Sequence, residues 1–363
     1  MQNERLISLD AFRGFTIAAM ILVNNPGSWE HVYAPLLHKT WNGVTPTDLI
    51  FPFFIFIVGV SIVLAYSRRI AAGVPPAKMV IKVVFRALKI FLVGVTLNFL
   101  WVLDFSELRI AGVLQRIAIV FLVCSLLYLF TSWRTQLITG IVLLIGYWLT
   151  LALIPTPGYD KAMLEPGINL AAWVDSNFLP GKMWEGTWDP EGILSTFPSI
   201  ATGIAGMMAG AIITGRLDQE RKVLWLFTAG FLATIVGQAW GWIFPLNKNL
   251  WTSSYVVFTG GLACLTLAAS IFIVDMLGRK RFTKIGIVFG ANAIAIYVFA
   301  GLATWFFYSM KIGDQSLNVH FLNLCNAFSL SPKLGSLIFA LLYVAFNYIP
   351  AWLLYRKRIF IKL

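Results

Sequence analysis

The sequence predicts an all-α polytopic membrane protein, a single bundle of about ten transmembrane helices with both termini in the cytoplasm. Three observations predict it. Of 363 residues, 59% are hydrophobic and 12% charged, where soluble domains carry about 25% charged residues. The apolar residues gather in runs long enough to cross about 30 Å of hydrocarbon as helices. The lysines and arginines divide unevenly between the segments that join those runs.

The runs lie near 7–25, 46–66, 80–103, 110–131, 134–154, 192–215, 222–244, 252–277, 284–308 and 331–356. One domain over 1–363 accommodates them. The first carries Asp10 and Arg13 and is followed by no small-residue cleavage pattern, so it reads as a span rather than a cleaved signal. The long polar stretch is 155–191, with Asp160, Glu165, Asp175, Glu185 and Asp189 among several prolines. It reads as an extramembrane loop with room for a short interfacial helix. With the N-terminus inside, 17 of the 28 lysines and arginines fall in inner segments and 7 in outer ones. This positive-inside bias sets the orientation and makes 155–191 extracytoplasmic. It also accounts for the net charge of +12, which would suggest nucleic acid in a soluble protein. The expected partner is the bilayer, not nucleic acid. Cys124, Cys264 and Cys325 have no metal or redox spacing, so they read as small packing residues and no metal is expected.

Polar groups inside spans are costly and are candidates for function. Asp10 and Arg13 sit three apart in "SLDAFRG", on one helix face, where they can pair. Asn24 and Asn25 close the first span and Asp48 opens the second. Arg86, Lys89 and Asn98 lie on the third, Gln115 and Arg116 on the fourth, and Asn292 on the ninth. The GxxxG pairs Gly206/Gly210 and Gly286/Gly290 read as close helix contacts.

Of the three histidines, His38 has the most suggestive surroundings. It opens "HKTWNGVTPTDLIFPFFIFIVG", near Trp41, Asn42 and Asp48 and not far from Asn24 and Asn25. Imidazole takes a proton near neutral pH without tuning. All three histidines fall in outer loops.

Seven stretches occur in order: "RLISLDAFRGFTIAAMILVNN", "HKTWNGVTPTDLIFPFFIFIVG", "GVLQRIA", "DPEGILSTFPSIATGIAGMMAG", "PLNKNLWTSSYVVFTGG", "GANAIAIYV" and "LLYRKRIFIKL". Together they resemble the family of heparan-α-glucosaminide N-acetyltransferase, a lysosomal membrane enzyme, and its bacterial relatives. The chain looks like the membrane core alone, as in the bacterial members, which suggests a bacterial inner membrane. The resemblance implies an acetyl-CoA-dependent acetyltransferase. Acetyl-CoA gives its acetyl group from the cytoplasmic side to a terminal amino sugar on the far side, and the protein is a homodimer. The family's active-site histidine in H-x-x-W-N-G falls on His38, and its asparagine at the end of the first span falls on Asn24.

Chemistry fills in the other roles. His38 serves as general base toward the attacking amine, and Asp48 orients its imidazole. Asn24 donates to the developing oxyanion. Arg86, Lys89, Arg356, Lys357 and Arg358 are candidates for the donor's phosphates, and Gln115 and Arg116 for lining its path. Trp41, Asn42, Trp188 and Glu191 are candidates for the acceptor. A covalent acetyl-histidine relay is the mechanistic alternative. Other functional readings are an O-acetyltransferase of a cell-envelope sugar and a transporter for a glycan or acyl donor.

Overall fold

The computed structural model describes residues 6–361. Its regular structure is helical, apart from a hairpin of two short strands, β1 (Lys311–Ile312) and β2 (Gln315–Ser316). Eight described helices are long and apolar enough to cross a membrane: α1 (Ile7–Asn24), α2 (Ile50–Ala71, with the turn from Pro46), α4 (Val113–Phe130), α5 (Trp133–Leu153), α7 (Ile193–Thr214), α8 (Gln219–Trp240), α9 (Ser253–Ser270, continued as a π-helix to Met276) and α13 (Pro332–Arg356). The remaining third run is α3 (Pro76–Val102), 27 residues long, with Lys78, Lys82, Arg86 and Lys89 in its first half. The chain is an integral membrane protein of the all-α class.

The ninth predicted span is not one helix. It is α10 (Thr283–Ala291) and α11 (Ala293–Thr304), bent by 82° at Asn292. Asn292 is buried at the bend. Its Nδ2 donates to the Ile359 carbonyl at 3.0 Å, and its Oδ1 accepts from the Ile361 N–H at 2.7 Å. The amide thus bonds the chain's last described segment, and a polar residue inside an apolar run marks a break.

The described residues form two compact units. One comprises 6–38, 45–51 and 270–361; the other comprises 39–44 and 52–269. In the first, α1 packs on α10 through glycines. A Cβ on Gly14 would lie 1.7 Å from the Gly286 carbonyl oxygen, and one on Gly290 would lie 2.3 Å from the Asp10 carbonyl oxygen. Asp10 and Arg13 pair at 3.4 Å. Ser8 donates a short bond to Asp275, a carboxylate in the π-helix. The negative charge near the start of α1 suits the helix dipole. Beyond α11, the hairpin leads into α12 (Leu317–Ala327), which packs on α13. Tyr308 and Tyr343 anchor this part by donating to the Pro26 and Ala300 carbonyls.

In the second unit, α7 packs on α2 by the same device. A Cβ on Gly206 would lie 2.0 Å from the Phe56 carbonyl oxygen, and one on Gly59 would lie 2.0 Å from that of Gly203. Backbone contact this close leaves no rotamer escape. Gly14→Leu is therefore expected to destabilise the protein by about 3 kcal/mol. Gly146→Ala in α5, where nothing lies within 4 Å, is expected to be neutral or slightly stabilising. Melting temperatures of the two variants in detergent check the contrast.

Candidate active site

The His38 loop runs from α1 to α2 and is fixed by its own short turns. Pro46–Leu49 forms a single 3₁₀ turn with Thr45 at its N-cap. Proline at the first position presets the backbone angle there. Asp48 occupies the third position, so its carboxylate reaches back to the cap, the reciprocal pattern of a capping box. Asp48 Oδ2 accepts from the Thr45 N–H at 3.0 Å and lies 3.0 Å from the Thr45 hydroxyl. That hydroxyl also reaches the Leu37 carbonyl at 2.7 Å, which ties the cap to the residue preceding His38.

Asp48 Oδ1 is then left pointing at His38 Nδ1, 2.7 Å away. The aspartate side chain is 0% exposed and the imidazole 41%. The carboxylate is enclosed and the ring it holds reaches the surface. With Nδ1–H donated to Asp48, the basic lone pair lies on Nε2, the tautomer a general base needs.

Asn24 is the last residue of α1 and is exposed. Asn25 is buried, and its Nδ2 donates back to the Ile21 carbonyl at 2.7 Å. Asn25 thus closes the helix while Asn24 faces outward.

In the second unit the predicted acceptor residues act mainly as ties. Trp41 Nε1 donates to the Leu164 carbonyl at 2.9 Å, and its ring meets Trp188 edge-on at 5.1 Å. Asn42 Oδ1 accepts from Asn247 Nδ2 at 3.1 Å, and the Gly43 N–H donates to the Leu246 carbonyl at 2.7 Å. Asn249 reaches the Thr40 carbonyl at 3.2 Å. Residues 39–44 are thereby fastened to 246–249 and to the loop before α6 (Leu170–Phe178).

Glu191 belongs to an ion cluster that spacing alone does not reveal. Arg109, between α3 and α4, bonds both oxygens of Asp189 at 2.7 and 2.6 Å and Glu191 at 2.5 Å. Asp189 is 0% exposed and also accepts from the Trp184 and Glu191 N–H groups. Burial works against the Arg109 charge, but the hydrogen bonds it donates to Asp189 and the two carboxylate charges outweigh it and raise its pKa. Arg109 also lies over the Trp184 ring at 5.1 Å. The cluster locks the "DPEG" turn at the start of α7.

Asp175 of α6 completes that turn. Its Oδ1 accepts from the Ile193 N–H at 2.8 Å, and Gly192 leaves the space its carboxylate fills. Burial raises its pKa to about 6, against backbone hydrogen bonds that favour ionisation. A raised carboxyl means that the folded protein keeps this proton after the unfolded chain has lost it. The contribution is therefore most favourable below about pH 4 and falls as pH rises to about 6. Its loss is on the order of 3 kcal/mol. In Asp175→Asn, the melting temperature is expected to change less between pH 4.5 and 7 than in the parent. An unchanged slope would assign the effect elsewhere.

Gln115 and Arg116 are both buried in α4. Gln115 Oε1 fills notches left by Gly94 and Gly112, which a Cβ at either position would invade. Arg116 Nη2 donates to Ser195 Oγ and, at 3.4 Å, to the Gly192 carbonyl. Its guanidinium lies 5.0 Å over the Trp251 ring. Of the predicted phosphate cations, Arg86 and Lys89 belong to the second unit and Arg356, Lys357 and Arg358 to the first. All five are exposed. Arg86 lies over Phe121 at 4.9 Å, and Arg356 over Trp352 at 5.2 Å. Among the described residues no group of three or more His, Cys, Asp or Glu is placed to hold a metal.

Sequence reasoning missed Arg109, Ser195, Asp275 and the capping role of Asp175. Arg109 was legible only as an outer-loop cation, and Ser195 as one hydroxyl among many.

A helical membrane protein with a carboxylate-held histidine in the loop between its first two spans is the class defined so far. The family described as heparan-α-glucosaminide N-acetyltransferase, catalytic, matches residues 5–244, and the chain belongs to that family. It is similar to the heparan-α-glucosaminide N-acetyltransferases of Mus musculus and Homo sapiens, at 29% identity to each over 99% of this chain. The match spans 61% of the mouse protein and 60% of the human one, so the chain covers about three fifths of their length.

Proposed function

We propose that the protein is an acetyltransferase that moves the acetyl group of cytoplasmic acetyl-CoA to an amino sugar on the other side of the membrane. The observation that carries this reading is the His38–Asp48 pair, an exposed imidazole held through Nδ1 by a fully buried carboxylate. Family membership and the name its relatives carry support the acetyl chemistry and a glucosamine-type acceptor. The uneven placement of lysine and arginine supports the sidedness.

The amine nitrogen attacks the thioester carbonyl carbon. A carbon–nitrogen bond forms, the carbon–sulfur bond breaks, and CoA leaves through its sulfur. His38 Nε2 takes the amine proton, and Asp48 stabilises the imidazolium that results. Asn24, exposed at the end of α1, is proposed to donate to the oxyanion. Exposed cations at the end of α13 are proposed to meet the donor's phosphates.

The test uses membranes that contain the protein. Free CoA is expected only when acetyl-CoA and glucosamine are both supplied, with N-acetylglucosamine formed in equal amount. CoA release that ignores the acceptor, or no release with any amino sugar, would sink the proposal.

A further inference from the structure

Arg116 is the most deeply buried arginine in the described chain that lacks a direct carboxylate partner. It is 1% exposed. Nη2 is occupied by Ser195 and Gly192, but Nε and Nη1 have no hydrogen-bond partner among the described residues. The nearby carboxylates Asp189 and Glu191 are bonded to Arg109. Trp251 covers a face of the guanidinium, and its own Nε1–H is turned away to Thr202 at 3.1 Å. Gln115, the preceding residue, is packed against Gly94 and Gly112 and does not share these partners.

A buried donor left unused is costly, and more so when it is charged. Each unused nitrogen on the guanidinium therefore marks a direction from which an acceptor oxygen can satisfy it. The surroundings narrow its chemistry. There is one cation, its carboxylate neighbours are already engaged, and the walls are an indole and small hydroxyl residues. A phosphate would bring a charge of about two into this interior with a single counter-charge. A carbonyl oxygen brings a strong acceptor with no net charge to desolvate, and guanidinium N–H groups suit it.

We propose that Arg116 receives a carbonyl oxygen of the acyl-thioester donor through Nε–H or Nη1–H. This rests on the proposed function. Two carbonyl sources share the chemistry: the acetyl thioester itself, and the amides of the pantetheine arm.

The test measures binding of acetyl-CoA and of free CoA to the full-length protein in nanodiscs by calorimetry, for wild type, Arg116→Lys and Arg116→Gln. Both variants are expected to bind acetyl-CoA about 10- to 100-fold more weakly. If the thioester oxygen is the ligand, free CoA binding is unchanged; if an amide oxygen is the ligand, both weaken together. Either pattern supports the proposal. Ser195→Ala keeps the arginine and removes only the hydroxyl on Nη2; it is expected to retain acetyl-CoA affinity within about threefold, which guards against variants that simply unfold. Unaltered affinity in folded Arg116→Lys or Arg116→Gln overturns the proposal while leaving the function intact. A loss in Ser195→Ala as large as in Arg116→Gln also overturns it, because the effect would then be structural. Wild type that binds no acetyl-CoA overturns both.

Discussion

His38→Ala is expected to lower acetyl transfer by about 10²- to 10⁴-fold while the protein stays folded. The fold should survive because the ring is 41% exposed and Asp48 keeps its bonds to Thr45. Removing His38 leaves the capping box and the 3₁₀ turn in place. Asp48→Asn tests the other half of the pair. One face of an asparagine amide can accept from Nδ1–H, but its NH₂ then faces the Thr45 N–H, donor against donor. Activity is expected to fall with the imidazole's orientation, and the turn should loosen as well. Melting temperatures separate the two effects, since only the Asp48 change should move them. Label exchange then distinguishes a base from an acetyl carrier. A covalent acetyl-His38 would exchange label between CoA and acetyl-CoA without acceptor, whereas direct attack gives none. Full activity in folded His38→Ala would remove the histidine from the chemistry.

Arg109→Ala is expected to destabilise the protein by about 3–5 kcal/mol, the usual cost of stranding buried charge. It would strand two carboxylates, one fully buried and one 10% exposed. The damage should reach beyond the cluster, because Asp189 also holds the Trp184 and Glu191 N–H groups, and the same turn presents the Gly192 carbonyl to Arg116. The triple change Arg109→Met, Asp189→Asn, Glu191→Gln removes every charge together and is expected to cost less than Arg109→Ala alone. Thermal unfolding of purified protein in detergent checks the order. If the triple variant is the less stable, the cluster contributes net stability rather than merely avoiding a penalty.

Glu191 illustrates how differently a residue reads in sequence and in space. As part of "DPEG" ahead of an apolar run, it is an acidic group at the edge of a loop, suited to an ammonium substrate. In space a cation 82 residues earlier in the chain occupies it. Trp41 and Asn42 are similar: an indole and an amide near a histidine suggest a sugar, yet Trp41 Nε1–H and Asn42 Oδ1 are already engaged within the protein. His38 and Asp48 read more directly, because they are ten positions apart and the proline-led turn fixes where the carboxylate points.

The class was legible in composition and run length. Apolar runs of about 20 residues have one good solution in a bilayer, a helix whose backbone bonds to itself, and that requirement is local. The glycine contacts were legible too, since only glycine lets two helix backbones approach so closely. Tertiary structure alone decided the bend at Asn292, the Arg109 cluster and the unused donors of Arg116. Each depends on partners 67 or more residues away. A polar residue inside an apolar run lowers hydropathy by the same amount whether it bonds a returning chain end, a carboxylate or nothing at all. Which of these it does is set by how the helices pack.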